Sequence, residues 1–174
     1  MPVGVAILTV SSAVAAGARE DEAGALLARL ATTTGLRVLA IDAVSDDRAA
    51  IEARLREHVA ADAEVVLTCG GTGLTPDDVT PEATGAVIER GAPGFAEALR
   101  AASLRHTPMG MLTRGESGIA GRTLIVNLPG SPRAVEQLFE VLAPVLEHAV
   151  ATIRSAAGSR ALHEAPPMTG GRRP

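Results

Sequence analysis

Residues 68–84 read TCGGTGLTPDDVTPEAT, and three kinds of chemical group fall together there. Gly70, Gly71 and Gly73 leave one side of the backbone open, so N–H groups can approach an anion, and glycine tolerates the positive φ such a turn needs. Thr72 adds a hydroxyl donor, and two adjacent acids, Asp77 and Asp78, follow shortly after. A carboxylate beside a bound phosphate repels it unless a cation lies between them. Mg²⁺ is commonly held by one or two carboxylates plus substrate phosphates, so the pattern points to a metal-bridged nucleotide. It is neither a G-x-G-x-x-G fingerprint nor a Walker loop, and the same glycines would also serve a plain strand-to-loop turn.

Other segments carry chemistry of the same kind. Asp46 and Asp47 stand where a helix begins, as a cap and first-turn acid or as a second source of carboxylate. Pro129-Gly130-Ser131-Pro132 places a hydroxyl and free N–H groups at a helix start, which suits an anion or a simple cap. Arg114 lies in a loop, able to reach a phosphate or to stay solvated. Cys69 follows an apolar run with no histidine close in sequence and reads as a small buried residue. His58, His106, His148 and His163 are scattered without ligand spacing and take no role.

Composition narrows the chemistry. The 174 residues, 47% of them hydrophobic, suit one domain, which at this length buries roughly 70% of its unfolded surface. All 16 basic residues are arginine, which excludes a P-loop lysine and a Schiff base. Phe95 and Phe139 are the only aromatics, so a flat ligand must lie against aliphatic side chains, backbone or arginine planes. A net charge of −4 offers no footprint for nucleic acid. No apolar run approaches the ~20 residues of a membrane span. The segment MPVGVAILTVSS has no basic n-region and reads as a buried first strand, and a single cysteine rules out an internal disulfide, so a cytoplasmic location is expected.

These groups need elements to position them. Val3–Val10, Val38–Val44 and Glu64–Thr68 read as strands, the first a near-continuous apolar run covered on both faces. Ala23, Leu26, Leu27 and Leu30 recur at helical spacing, with Gly35 at the C-terminal cap, and Ile51, Leu55 and Val59 mark a second helix. Thr80-Pro81 predicts a capped helix running to about Arg90, and a further helix spans Gly94–Arg105. Short strands are expected at Met109–Leu112 and Thr123–Asn127, then a long final helix kinked or broken at Pro144. Residues 1–154 would form the domain, with a disordered Pro- and Gly-rich tail over 155–174. Alternating strands and helices give an α/β fold, three-layer α/β/α with a mostly parallel sheet. Ligands in such folds bind beyond the carboxyl ends of the strands, where Ser11–Gly24, Asp46-Asp47, the GGTG turn and Asn127–Ser131 all fall.

In collinear order over residues 3–150, TCGGTGLTPDDVTPEAT, Pro93-Gly94-Phe95, LTRGESGI and NLPGSP resemble the MogA/MoaB family of molybdenum-cofactor biosynthesis, to which the gephyrin G domain belongs. That resemblance implies a molybdopterin-binding fold, usually trimeric and sometimes hexameric. It implies a cytoplasmic nucleotidyltransferase that uses Mg²⁺ and ATP to adenylylate molybdopterin and release pyrophosphate, with a molybdate-inserting enzyme as a possible partner and with neither nucleic acid nor membrane. Its two essential aspartates match Asp46 and Asp78, which would also hold Mg²⁺. Its binding residues match Ser11, Asp21, Gly70, Gly71, Thr72, Gly73, Gly130 and Ser131, with Asp21 inside a run matched at Arg19, Glu20 and Gly24. Where the family commonly reads S-D-R after the first strand, this chain reads Ser11-Ser12-Ala13, and Cys69 replaces a Thr or Ser. That departure keeps open a non-catalytic molybdopterin-binding or assembly paralog, and a separate rival is another nucleotide enzyme on the same scaffold, such as the related domain of the competence-damage proteins.

Overall fold

The computed structural model describes residues 1–155, so the expectation for the remainder of the tail, 156–174, lies outside the described residues. The strands are β1 (Gly4–Val10), β2 (Arg37–Val44), β3 (Val65–Cys69), β4 (Arg90–Gly91), β5 (Ser117–Ala120) and β6 (Thr123–Leu128). They form one six-stranded sheet in the order β2-β1-β3-β6-β5-β4. The first four in that order run parallel, and β5 and β4 are antiparallel additions at one edge. The helices are α1 (Ser12–Ala15), α2 (Glu22–Thr33), α3 (Arg48–Ala60), α4 (Thr80–Gly85), α5 (Pro93–His106) and α6 (Pro132–Arg154).

Every residue of β1, β3 and β6 is buried, because helices cover both faces of the sheet. Side chains alternate between two cores. Val5 and Ile7 meet α2, α5 and α6 through Leu27, Leu99 and Phe139. Ala6, Leu8 and Val10 meet α3 and α4 through Ile51, Leu55 and Ala83. This is the three-layer architecture with a mostly parallel sheet that the alternating pattern predicts. His58 belongs to its packing: buried on α3, its Nε2 lies 3.2 Å from Asp42 Oδ2, and desolvation holds its pKa below the usual histidine value against the pull of that carboxylate.

Four local expectations are corrected. Met109–Leu112 is a 3-10 helix over Pro108–Leu112, not a strand; Pro108 cannot donate to a ladder, and Thr107 Oγ1 accepts the Met109 N–H at 3.3 Å. The helix from Pro81 ends at Gly85, and Arg90–Gly91 instead pairs with β5. Thr80 is not the cap of α4; Val79 is, and the Thr80 hydroxyl turns to the glycine loop. Finally, the break offered at Pro144 as an alternative to a kink does not occur: α6 continues to Arg154, and the proline lies on the exposed side, where water can serve the carbonyl that loses its N–H partner.

Candidate active site

The sheet order places β1 between β2 and β3, so the chain leaves β1 toward one side and β3 toward the other. A crevice opens beyond their carboxyl ends, at Val10-Ser11 and Gly70. Gly70 (φ 105°) and Gly71 (φ 63°) hold left-handed backbone that a side chain would strain. The loop is pinned beneath by Thr80, whose hydroxyl donates to the Gly70 carbonyl at 2.9 Å and whose N–H donates to that of Gly71 at 3.1 Å. The glycine loop after β6 packs directly on it: a Cβ on Gly130 would come within 3.2 Å of the Gly70 Cα. Below both loops, buried Asn127 donates to the hydroxyls of Thr68 and Thr84 at 2.9 Å each and accepts the Glu116 N–H at 3.0 Å.

Asp46 and Asp78 reach this crevice from different strand ends. Both line one cleft of about 640 Å³, together with Ser11, the Gly70–Gly73 turn, Gly130 and Ser131. Ser131 caps α6 through its backbone alone, which leaves its exposed hydroxyl for a ligand. Asp21 is set apart. It lines an adjoining chamber of about 180 Å³, capping α2 by accepting the Gly24 N–H at 2.9 Å and taking the Thr9 hydroxyl at 2.7 Å. The two consecutive acids after β2 divide their work. Asp47 caps α3, accepting the Ala50 N–H at 2.8 Å, while Asp46 turns back to Ser12 of α1. Asp77 is exposed and does not line the cleft.

Burial pushes the Asp78 carboxyl up, but hydrogen bonds from the Thr75 hydroxyl and N–H and from the Gly73 N–H, with the nearby Arg114 charge, outweigh it and hold the group below the usual carboxylate range. Asp78 is therefore ionised at neutral pH. Cys69 is inert: desolvation pushes its thiol up to about 11, and it lies fully buried 3.2 Å from Thr9 Oγ1. The positive charge on the cleft comes from Arg19, the one basic residue among its described lining, whose Nη2 donates to Ser11 Oγ at 3.0 Å.

Arg114 neither reaches for a phosphate nor waves in solvent. Its Nε donates to the Gly73 carbonyl at 2.8 Å and its Nη2 to the Asp78 carbonyl at 2.5 Å. Its backbone N–H donates to the Thr72 carbonyl at 2.8 Å, and Glu82 takes the remaining edge of the guanidinium. One planar fork thus fastens both ends of the segment carrying Asp78. Lysine cannot reproduce that fork. Arg114→Lys is expected to lower kcat/KM by on the order of tenfold to a hundredfold through misplacement of the loop, with a lowered Tm in thermal melts. A variant with normal kinetics would show that the loop keeps its shape unaided.

Magnesium fits the donor set. In Asp46 and Asp78 the donors of Ser12 and Thr75 converge on Oδ2. Among the described residues no group of three or more His, Cys, Asp or Glu side chains could hold a metal ion alone. Each carboxylate offers the hard oxygen that Mg²⁺ takes beside phosphate and water oxygens when it binds nucleotides.

Residues 6–148 match the family model described as a probable molybdopterin binding domain. The chain belongs to that family. Similar proteins include the molybdopterin adenylyltransferase of Helicobacter pylori J99, 33% identical over 149 residues that cover 84% of this chain and 85% of the relative. The molybdenum cofactor synthesis protein cinnamon of Drosophila melanogaster is 38% identical over 146 residues, 83% of this chain; the chain spans 24% of that longer protein. Among solved structures, the molybdopterin biosynthesis enzyme MoaB of Thermus thermophilus is 41% identical and superposes with a TM-score of 0.82, over 87% of this chain and 96% of the other.

Ser12, Thr75, Thr80 and the fastening role of Arg114 are site features the sequence did not disclose. For Thr75 a local signal exists, a hydroxyl residue three positions before an acid, the spacing by which a capping box brings an acid back to an N–H. Ser12 and Asp46 lie 34 positions apart, and no spacing rule joins them.

Proposed function

We propose that this protein is the nucleotidyltransferase of molybdenum-cofactor biosynthesis that adenylylates molybdopterin. A phosphate oxygen of molybdopterin attacks the α-phosphorus of ATP, a phosphoanhydride forms, and the bond to the β-phosphate breaks to release pyrophosphate. The attacking phosphate is already ionised near neutral pH, so the step needs little general base. The observation that carries the reading is the meeting of Asp46, Asp78 and the Gly70–Gly73 turn on one cleft, although they come from separate strand ends. Asp46 and Asp78 would hold Mg²⁺, which supplies charge neutralisation for the phosphates. The glycine turn and the Gly130-Ser131 loop offer N–H and hydroxyl donors to phosphate oxygens, and Arg19 adds a cation. Catalysis is then positioning and electrostatic stabilisation.

No helix among the described residues is long and apolar enough to cross a membrane. The protein would act in the cytoplasm as a homotrimer, or as a hexamer built from it, and pass its product to a molybdate-inserting enzyme. These assignments rest on the family resemblance.

Pyrophosphate release from ATP with molybdopterin and Mg²⁺ is the test. Release that depends on all three supports the adenylyltransferase. Tight molybdopterin binding without release would make the protein the non-catalytic paralog, and failure to bind any pterin would move it to another nucleotide chemistry on the same scaffold.

A further inference from the structure

We infer that Ser12 and Thr75 are a matched pair of positioning residues, each fixing one of the two cleft carboxylates for cation binding. The inference takes the role of the ion from the adenylyltransferase reading, while the clamps themselves rest on geometry. Asp46 Oδ2 accepts the Ser12 N–H at 2.8 Å and the Ser12 hydroxyl at 2.7 Å. Asp78 Oδ2 accepts the Thr75 N–H at 2.9 Å and the Thr75 hydroxyl at 2.7 Å. In both cases one hydroxyl residue supplies its backbone and side-chain donors to the same carboxylate oxygen. The two carboxylates lie on different loops, so the likeness is not imposed by one local turn.

A carboxylate gripped twice at Oδ2 is fixed in both its torsions, and its Oδ1 is held in a single direction. Ser12 is tied further, since its Oγ accepts the Asp46 N–H at 3.0 Å, closing a ring between the loops after β1 and β2. Neither hydroxyl serves the core: Ser12 and Thr75 are exposed, and α1 contains no buried residue. A carboxylate at position 12 would set like charge against Asp46, whereas Ser12 donates to it. The Ser11-Ser12-Ala13 sequence thus lacks the charged pair that S-D-R would bring, and holds Asp46 through neutral donors.

The test is direct binding of Mn²⁺, in place of Mg²⁺, to the full chain with a non-hydrolysable ATP analogue, followed by electron paramagnetic resonance, with thermal melts as a folding control. Ser12→Ala and Thr75→Ala are each expected to raise the Mn²⁺ Kd by about tenfold or more, the usual effect of removing an outer partner of a metal ligand, with near-normal Tm. Ser12→Thr and Thr75→Ser, which keep the hydroxyl, are expected to stay within about threefold of wild type. Unchanged Mn²⁺ affinity in the alanine variants overturns the inference, as does equal weakening by the hydroxyl-keeping variants or a wild type that binds no Mn²⁺. A wild type that binds Mn²⁺ as expected but releases no pyrophosphate sinks the adenylyltransferase reading and leaves the clamps standing.

Discussion

Asp78→Asn is expected to lower formation of adenylyl-molybdopterin by on the order of 10²- to 10³-fold, the usual cost of removing one preorganised charge-stabilising group, with little change in Tm. Asparagine keeps the shape of the side chain and an oxygen that can still accept from Thr75, so the turn over residues 75–78 retains its hydrogen bonds. Only the charge is lost. Because the carboxyl is held below the usual aspartate range, the wild type carries that charge throughout the neutral region, and no loss of activity from its protonation is expected there. The sign is that of a depressed acid: its stabilising contribution is present above the ordinary aspartate pKa and lost only as pH falls through the lower folded value. Asp46→Asn removes the other carboxylate of the same proposed ion, so the double variant should be little worse than the more damaged single one. Near-normal turnover by Asp78→Asn in the molybdopterin assay would remove this residue from the mechanism.

The legible parts of the molecule were those in which physics acts over short sequence distances. The apolar runs of β1, β3 and β6 announce strands covered on both faces, and the spacing of Leu27, Leu30, Ile51 and Leu55 announces helices. Gly70-Gly71-Thr72-Gly73 marks its own turn, because two of those positions do adopt positive φ. The errors fall where a short segment takes its structure from a distant partner. Ser117–Ala120 has no strand-like composition and becomes β5 only through its pairing with β6. Met109–Leu112 is apolar like a strand but folds as a 3-10 turn against α5, where Gly110 packs so closely on Ser103 that a Cβ would lie 2.8 Å from its Oγ. The site shows the same division. The family resemblance singled out one aspartate of each pair by its neighbours in sequence, but the grip of Ser12 on Asp46 exists only once β1 lies beside β2, and that of Arg114 on the glycine loop only once β3 and β5 flank β6.

Gly70→Ala is expected to cost more stability than any other single methyl added to the glycine turn, and to abolish turnover with it. The left-handed backbone at φ 105° costs a non-glycine residue on the order of 1–3 kcal/mol. The new Cβ would also be driven into the carbonyl oxygen of Val10, a backbone atom at the end of the central strand β1 that cannot rotate away. Overpacking of that kind costs a further 1–3 kcal/mol or so, and the two penalties act on the same residue, giving roughly 2–6 kcal/mol. Relief by moving Gly70 is blocked from the other side, since Gly130 packs against its Cα and Thr80 holds its carbonyl. The strain must pass into the loops after β1, β3 and β6, which are the walls of the cleft. Gly94→Ala separates this effect from the addition of a methyl group as such. That glycine lies in the first turn of α5 with open space around its Cβ position, so alanine there should be neutral or stabilising by up to about 1 kcal/mol. Denaturant melts of the two variants should therefore move in opposite directions, or at least differ by about 2 kcal/mol. Equal stabilities would mean that the turn at the end of β3 yields easily, and a cleft with yielding walls could not hold two anionic substrates in register for transfer.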